Sequence, residues 1–214
     1  MRLFALFLLA ALSAQAEDSG PIAILERQEI PVERSAGAQS HALRLTLAYL
    51  KGAGWAREEI LAAVAQTASI VGQCGVGLER AELVLIDAPE RYRDFFDSTA
   101  RELARALPLT KPTVYFVAGT RQRPAFDAEA IGRGNSRTRP ELADTVWVTR
   151  GTRDIGIVLA HELAHVLMDS SEHSEEAGNL MRDETAPENT RLTRAQCARL
   201  RGKSMENGLL GPAK

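Results

Sequence analysis

Residues 161–181 read HELAHVLMDSSEHSEEAGNLM and contain three of the four histidines of the chain. Residues four apart on an α-helix are offset by only about 40°, so the imidazoles of His161 and His165 project side by side. Glu162 lies about 100° round the helix, close enough to reach a water beside an ion that both histidines hold. This spacing predicts a metal site on one face of a helix.

The helix that carries this motif is predicted to run from about Arg153 to Met168. Thr152 is a candidate N-cap, and Asp154 suits the first turn because the helix dipole favours negative charge there. An apolar row lies on roughly the side of the helix opposite the histidines: Ile155, Leu159 and Leu163. We expect this row to face the core while the histidines face a cleft. The predicted helix ends before His173, so the following bend can return a third imidazole to the ion.

Asn179-Leu180-Met181 follows His173 at a short distance, and the whole stretch resembles the metzincin metallopeptidases, especially their matrixin-like branch. That family is marked by HExxHxxGxxH followed by a methionine-containing turn. The step of eight residues from His173 to Met181 is the matrixin step. The resemblance covers about residues 145–181.

The resemblance implies a zinc metalloendopeptidase that acts on peptide or protein substrates. One catalytic Zn²⁺ is its implied cofactor, with three imidazoles as ligands: His161, His165 and His173. Glu162 is the implied general base, taking the proton of the attacking water. Met181 is implied to form the hydrophobic floor beneath the metal.

The chain departs from the family pattern between the second and third histidines. Met168 stands at the glycine position, and two extra residues precede His173. Without glycine, the exit from the helix is expected to use a residue whose side chain bonds local backbone: Asp169, Ser170 or Ser171. Carboxylates are alternative third ligands, since zinc accepts oxygen: Glu172, Glu175, Glu176 and Asp183. We prefer His173 because its step to Met181 matches.

A secreted zinc-binding module without catalytic activity is the alternative function. Closed structural zinc sites are usually richer in cysteine and have four protein ligands, whereas this motif offers three histidines and a spare glutamate. The motif therefore favours catalysis. A zinc hydrolase that acts on bonds other than peptides is a third hypothesis.

Strands and helices alternate before the motif, which predicts an α/β (α+β) sandwich. The predicted strands are His41–Leu50, Glu82–Asp87, Thr113–Ala118 and Thr145–Thr149. For His41–Leu50 a helix is the alternative. The predicted helices are Ala56–Gly72, Arg91–Leu107 and a short one around Thr193–Arg201, with residues 119–143 loop-like. The resemblance implies a metzincin-like zincin fold: a small twisted mixed sheet, two main helices and an irregular C-terminal lobe.

One strand is expected to bind substrate. In the resembled fold an edge strand before the active-site helix pairs with an extended peptide, and Thr145–Thr149 occupies that place in the order. The candidate pairing residues are Val146, Trp147 and Val148. The alternative is an ordinary sheet strand with Trp147 in the core.

The N-terminus has the layout of a secretory signal peptide over residues 1–16. Arg2 precedes the apolar run Leu3–Leu12, and Ala14-Gln15-Ala16 offers a cleavage site. The run is too short for a membrane anchor, and the alternative is a buried N-terminal helix. We expect a secreted or periplasmic protein with an extended segment over 17–40 and the metallopeptidase domain over 41–214.

Net charge bears on the partners of the protein, and cysteine content bears on its compartment. The formal net charge of −2 gives no electrostatic reason to expect nucleic acid or an anionic membrane as a partner. Two cysteines, Cys74 and Cys197, predict one disulfide in an oxidising compartment, the alternative being two buried thiols. Gln73-Cys74-Gly75-Val76 also resembles the propeptide cysteine latch of matrixins, but Cys74 follows a predicted helix inside the domain, which favours the disulfide.

Overall fold

The structure, a computed structural model, describes residues 20–31, 39–121, 130–133 and 140–213, with 130–133 described by their backbone. The strands are β1 Ala23–Ile30, β2 His41–Leu50, β3 Val76–Asp87, β4 Asp94–Phe95, β5 Thr113–Val117, β6 Gly119–Thr120, β7 Ala130–Arg133, β8 Thr145–Thr149 and β9 Leu210–Pro212. The α-helices are α1 Arg57–Gly72, α2 Asp97–Ala106, α3 Ile155–Met168 and α4 Arg194–Glu206. Short 3₁₀ turns lie at Glu90–Tyr92 and Pro140–Leu142.

The main sheet is a twisted mixed sheet with the strand order β1-β3-β2-β5-β8-β7. Its four central strands, β3, β2, β5 and β8, are parallel, while β1 and β7 flank them in antiparallel pairing. Strand β9 pairs with the start of β2, and β4 forms a separate two-stranded sheet with β6. This mixed α/β architecture confirms the predicted fold class.

Part of the segment before His41, residues 23–30, belongs to the same sheet. Strand β1, over Ala23–Ile30, pairs with β3, so the predicted extended segment supplies an edge strand. The predicted signal peptide lies outside the described residues. None of the helices in the described ranges is long and apolar enough to cross a membrane.

The metal-motif helix α3 packs between α1 and α4. Gly156 allows α1 to approach closely, because a Cβ there would lie 2.7 Å from the Cβ of Gln66. The Thr67 hydroxyl donates a hydrogen bond to the Gly156 carbonyl oxygen at 3.0 Å. On the other side, the buried Ser204 hydroxyl of α4 donates to the Leu167 carbonyl oxygen at 2.7 Å. Both neighbours therefore fix α3 through contacts with its backbone.

The predicted helix Arg91–Leu107 is wrong in its first part. Residues 90–92 form a 3₁₀ turn, Asp94–Phe95 is strand β4, and the helix begins only at Asp97. Phe95 is fully buried and lies 5.2 Å from the ring of Trp147, which draws this segment out of helical geometry. Within the predicted loop 119–143, residues 119–120 and 130–133 are also strands.

The substrate-pairing prediction for Thr145–Thr149 is wrong. This strand, β8, is paired on both sides: Val146, Trp147 and Val148 face partners on β5 and on β7. Its backbone is therefore occupied by the sheet, and β7 takes the end position in the strand order. Trp147 is a core residue, 1% exposed and stacked on Tyr115 with ring centroids 4.1 Å apart.

A disulfide joins Cys74, after α1, to Cys197 on α4. Beside it, the Arg201 guanidinium donates to the Cys74 carbonyl oxygen at 2.8 Å, and the Gln73 amide donates to the Thr190 carbonyl oxygen at 2.7 Å. These contacts tie the C-terminal helix to the body of the domain. Because Cys74 is in the disulfide, it has no thiol to act as a metal latch.

Candidate metal centre

Helix α3 begins two residues later than the sequence predicts. Asp154 is the N-cap, in a left-handed backbone conformation with φ 45° and ψ 49°, and Thr152 lies outside the helix. The predicted cap at Thr152 and the first-turn position of Asp154 are therefore wrong, because the chain turns sharply at Asp154 before the first helical residue. Ten of the helix's residues besides His161 are buried, so α3 lies inside the domain rather than on its surface.

The structure brings the three predicted imidazoles together. The Nε2 atom of His165 lies 2.9 Å from Nε2 of His161 and 3.2 Å from Nε2 of His173. His161 is 3% exposed, His165 is half-buried and His173 is exposed. The cluster therefore opens to solvent on the side of His173.

Each imidazole has an oxygen acceptor at its other ring nitrogen. Nδ1 of His161 lies 2.7 Å from the Leu180 carbonyl oxygen, and Nδ1 of His165 lies 2.7 Å from the Ser170 carbonyl oxygen. A carbonyl oxygen can only accept, so in both rings Nδ1 carries the proton. Nδ1 of His173 similarly faces the Asp183 carboxylate at 3.3 Å.

This pattern leaves three Nε2 lone pairs directed at one another. Without a proton, two such nitrogens cannot hydrogen-bond, and their lone pairs repel at these distances. A divalent cation between them removes the conflict. Two nitrogens bound to one zinc ion at about 2.0–2.1 Å with a tetrahedral angle lie roughly 3.3–3.4 Å apart, close to the observed spacings.

Burial keeps two of the imidazoles neutral. Removal from water lowers the pKa of His161, and it lowers the pKa of His165 to about 4, with the nearby His161 ring acting in the same direction. The hydrogen bonds to Leu180 and Ser170 oppose these shifts without cancelling them. Neutral imidazole is the form that binds a metal, so the site is prepared for an ion at neutral pH.

The exit from α3 uses the first of the three predicted residues. Asp169 adopts the left-handed conformation with φ 46° and ψ 53°, the role that glycine takes at many helix ends. The Ser170 N–H then donates to the His165 carbonyl oxygen at 3.1 Å, and the Ser170 carbonyl returns to accept from His165 Nδ1. The bend thus orients the imidazole of His165 while it ends the helix.

The methionine turn contacts two of the three ligand segments. Leu180 and Met181 are fully buried, and the Leu180 carbonyl oxygen accepts from His161. The Met181 carbonyl oxygen accepts from the Ser174 N–H at 2.7 Å, next to His173 along the chain. The turn therefore contacts both the helix that carries His161 and the loop that carries His173.

Among the described residues, the only group of three or more potential ligands with converging atoms consists of His161, His165 and His173, whose ligand atoms all lie within 4.8 Å of one another. The alternative carboxylates are not part of this group. Asp183 instead contacts the far side of the His173 ring. Glu162 is half-buried on α3 beside His161.

The partners of the imidazoles were not predicted from the sequence. Two of them are backbone carbonyls, at Leu180 and Ser170, and a carbonyl carries no residue-specific signal. Asp183 was predicted only as a substitute ligand. Its position two residues after Met181 was a usable signal, since a carboxylate is a frequent partner of a metal-binding histidine.

Comparison with known proteins gives a structural match only. No protein-family model matches the chain, and no curated protein matches its sequence. Among solved structures, it is similar to the crystal structure of metalloproteinase-II from Bacteroides fragilis, with a TM-score of 0.53 and 16% sequence identity. The match covers 88% of this chain and 60% of that chain. This chain therefore has a metalloproteinase-like fold and spans about 60% of the length of that structural neighbour.

Proposed function

We propose that this protein is a zinc-dependent endopeptidase of the metzincin type, with a matrixin-like third-ligand and methionine segment. The observation that carries the proposal is the convergence of three Nε2 lone pairs, each on an imidazole whose Nδ1 faces an oxygen. Such an arrangement is favourable only around a cation. Three neutral nitrogen ligands and a side open to solvent are the features of catalytic zinc sites rather than closed structural ones.

Each residue of the site has a proposed role. His161, His165 and His173 would hold the ion, and the oxygens at their Nδ1 atoms would fix the ring orientation. Zinc, when bound, would supply the Lewis acidity that lowers the pKa of a water and polarises a peptide carbonyl. Glu162 would take the proton of the attacking water and pass it to the departing amine.

The disulfide supports a location outside the cytosol. Disulfides form and persist in oxidising compartments, and Cys74 and Cys197 are joined across the domain. Together with the predicted signal peptide over residues 1–16, this supports secretion or export to the periplasm, where a peptide or protein is the substrate. Mass analysis of the exported protein tests the proposed cleavage after Ala16.

Substitution Glu162→Gln tests the catalytic role. The amide keeps the size of the side chain but cannot accept a proton, so we expect zinc content to stay at one ion per chain. Hydrolysis of a mixed peptide library, followed by mass spectrometry, should fall by about 100- to 10,000-fold. Glu175→Gln is the matched control, because Glu175 is exposed and outside the histidine cluster.

The possible results separate the hypotheses. Equal hydrolysis by the Glu162→Gln variant and the wild type would remove Glu162 from the mechanism. A wild-type protein that binds zinc and cleaves no peptide would favour the binding module. Loss of zinc in the Glu175→Gln variant would favour the alternative in which the Glu175 carboxylate is a zinc ligand.

A further inference from the structure

A buried amide pair links the methionine turn to helix α4. Asn179 is 2% exposed, and its Oδ1 accepts from the Met181 N–H at 2.9 Å and from Gln196 Nε2 at 3.1 Å. In return, Asn179 Nδ2 donates to Gln196 Oε1 at 3.0 Å. The Met181 N–H can only donate, so it fixes which end of the Asn179 amide is oxygen.

Gln196 is itself held at the start of α4. Its Oε1 accepts from the Thr193 N–H at 2.8 Å, while the Thr193 hydroxyl accepts from the Gln196 N–H at 3.2 Å. This reciprocal arrangement is a capping box. The next residue, Cys197, is bonded to Cys74. The amide that meets Asn179 therefore comes from a turn fixed by a helix cap and by a covalent link.

The segment between Asn179 and Met181 carries the acceptor for a predicted metal ligand. The Leu180 N–H donates to the Arg191 carbonyl oxygen at 2.7 Å, and the Leu180 carbonyl oxygen accepts from His161 Nδ1 at 2.7 Å. The Leu180 peptide is thus held from both sides. Any shift of the turn moves the oxygen that orients the imidazole of His161.

We propose that the reciprocal amide pair of Asn179 and Gln196 positions the Leu180 carbonyl against His161 and thereby raises the affinity of the histidine cluster for zinc. Both are positioning residues, since neither contacts the ion or the substrate. The proposal rests on the proposed function, because it requires the three imidazoles to bind zinc. It adds a determinant on α4, outside the histidine motif and the methionine turn.

Asn179→Ala and Gln196→Ala test the pair, with zinc as the probe and a chromophoric chelator as the competitor. Loss of a partner that orients a ligand typically lowers metal affinity about 10- to 100-fold, and we expect losses in this range. The Co²⁺ absorption spectrum of each variant gives a second readout of ligand geometry. The double variant should lose less than the product of the two single losses, since both substitutions remove the shared hydrogen bonds between Asn179 and Gln196.

Trp55→Phe is the control for general destabilisation. Trp55 is 8% exposed, and its indole N–H donates to the Val117 carbonyl oxygen at 2.8 Å, at the end of β5. We expect this variant to lower stability while leaving zinc affinity within about threefold of wild type, since the hydrogen bond joins segments that carry neither a histidine of the cluster nor a partner of one. An equal fall in affinity for the Trp55→Phe and Asn179→Ala variants would reduce the effect to general destabilisation and overturn the proposal.

Two failures are distinguishable. If the wild type binds no zinc, the proposed function fails and the pair has no metal to serve. If the wild type binds zinc and cleaves peptides, but the Asn179→Ala and Gln196→Ala variants keep its affinity and Co²⁺ spectrum, only the positioning proposal fails. Should Asn179→Ala not fold, Gln196→Ala carries the same expectation, because its side chain is only half-buried.

Discussion

Replacing Gly156 by alanine tests whether the close approach of α1 fixes the helix that carries the histidine motif. A Cβ at this position would lie 2.4 Å from Gln66 Oε1, 2.7 Å from Gln66 Cβ and 3.0 Å from the Ala63 carbonyl oxygen. Rotation of the Gln66 side chain relieves the first contact. The other two involve an atom attached to the backbone and a backbone oxygen, so relieving them requires the helices to separate.

The magnitude comes from two opposing terms. Overpacking of a well-packed interior costs about 1–3 kcal/mol. Alanine in place of glycine stabilises a helix interior by about 0.5–1 kcal/mol, and Gly156 is only the second residue of α3. We therefore expect the free energy of unfolding to fall by about 1–2 kcal/mol, which lowers the melting temperature of a chain of this size by about 2–8 °C.

Thermal unfolding followed by circular dichroism measures this change, with Gly202→Ala as the control. Gly202 lies in α4, and nothing lies within 4 Å of a Cβ built there. The same chemical change should therefore stabilise the protein by about 0.5–1 kcal/mol at this position. If Gly156→Ala stabilised the protein as much as Gly202→Ala does, the contact between α1 and α3 would not be as close as described.

Two further predictions concern stability. Alanine at both Cys74 and Cys197 removes a cross-link between residues 123 apart in sequence. We expect urea denaturation to show a free energy of unfolding lower by about 2–5 kcal/mol, and a larger m-value because the unfolded chain expands. A variant as stable as the oxidised wild type would contradict this. Asp169→Gly relieves the strain of a left-handed backbone conformation at φ 46°. Thermal unfolding should therefore show a free energy of unfolding higher by up to about 1 kcal/mol. Asp169→Ala keeps a Cβ in this conformation, so it should be no more stable than wild type. A loss in the glycine variant would mean that the Asp169 side chain stabilises the bend.

The parts of the site that follow from helical geometry were predictable. The spacing of His161 and His165 placed both rings on one face of α3, and the row of Leu159 and Leu163 is fully buried as predicted. Helical periodicity acts over four residues and needs no knowledge of distant partners. Local periodicity, of two residues in a strand and 3.6 in a helix, also predicted the strand His41–Leu50 and most of the helix at 56–72 with nearly the observed bounds.

Features that depend on distant segments were not predictable. The edge strand was assigned to Thr145–Thr149 because it directly precedes α3, but Ala130–Arg133 pairs along its outer side. Those four residues, AIGR, are too short to show alternation of polar and apolar side chains. Likewise, residues 94–95 leave helical geometry because they pair with residues 119–120, an interaction across a long separation in sequence.

The two-residue insertion before His173 is tolerated because the methionine turn, rather than the helix, determines where the His173 imidazole lies. On the helix side, Asp169 ends α3 in a single residue, and the extra length lies in the exposed part of the bend. On the other side, the Ser174 N–H donates to the Met181 carbonyl oxygen, which fixes the residue next to His173. The contact therefore constrains the step from His173 to Met181, whereas the distance from His165 to His173 can be longer. This explains why the step of eight residues pointed to the imidazole that joins His161 and His165, when the spacing after the helix did not.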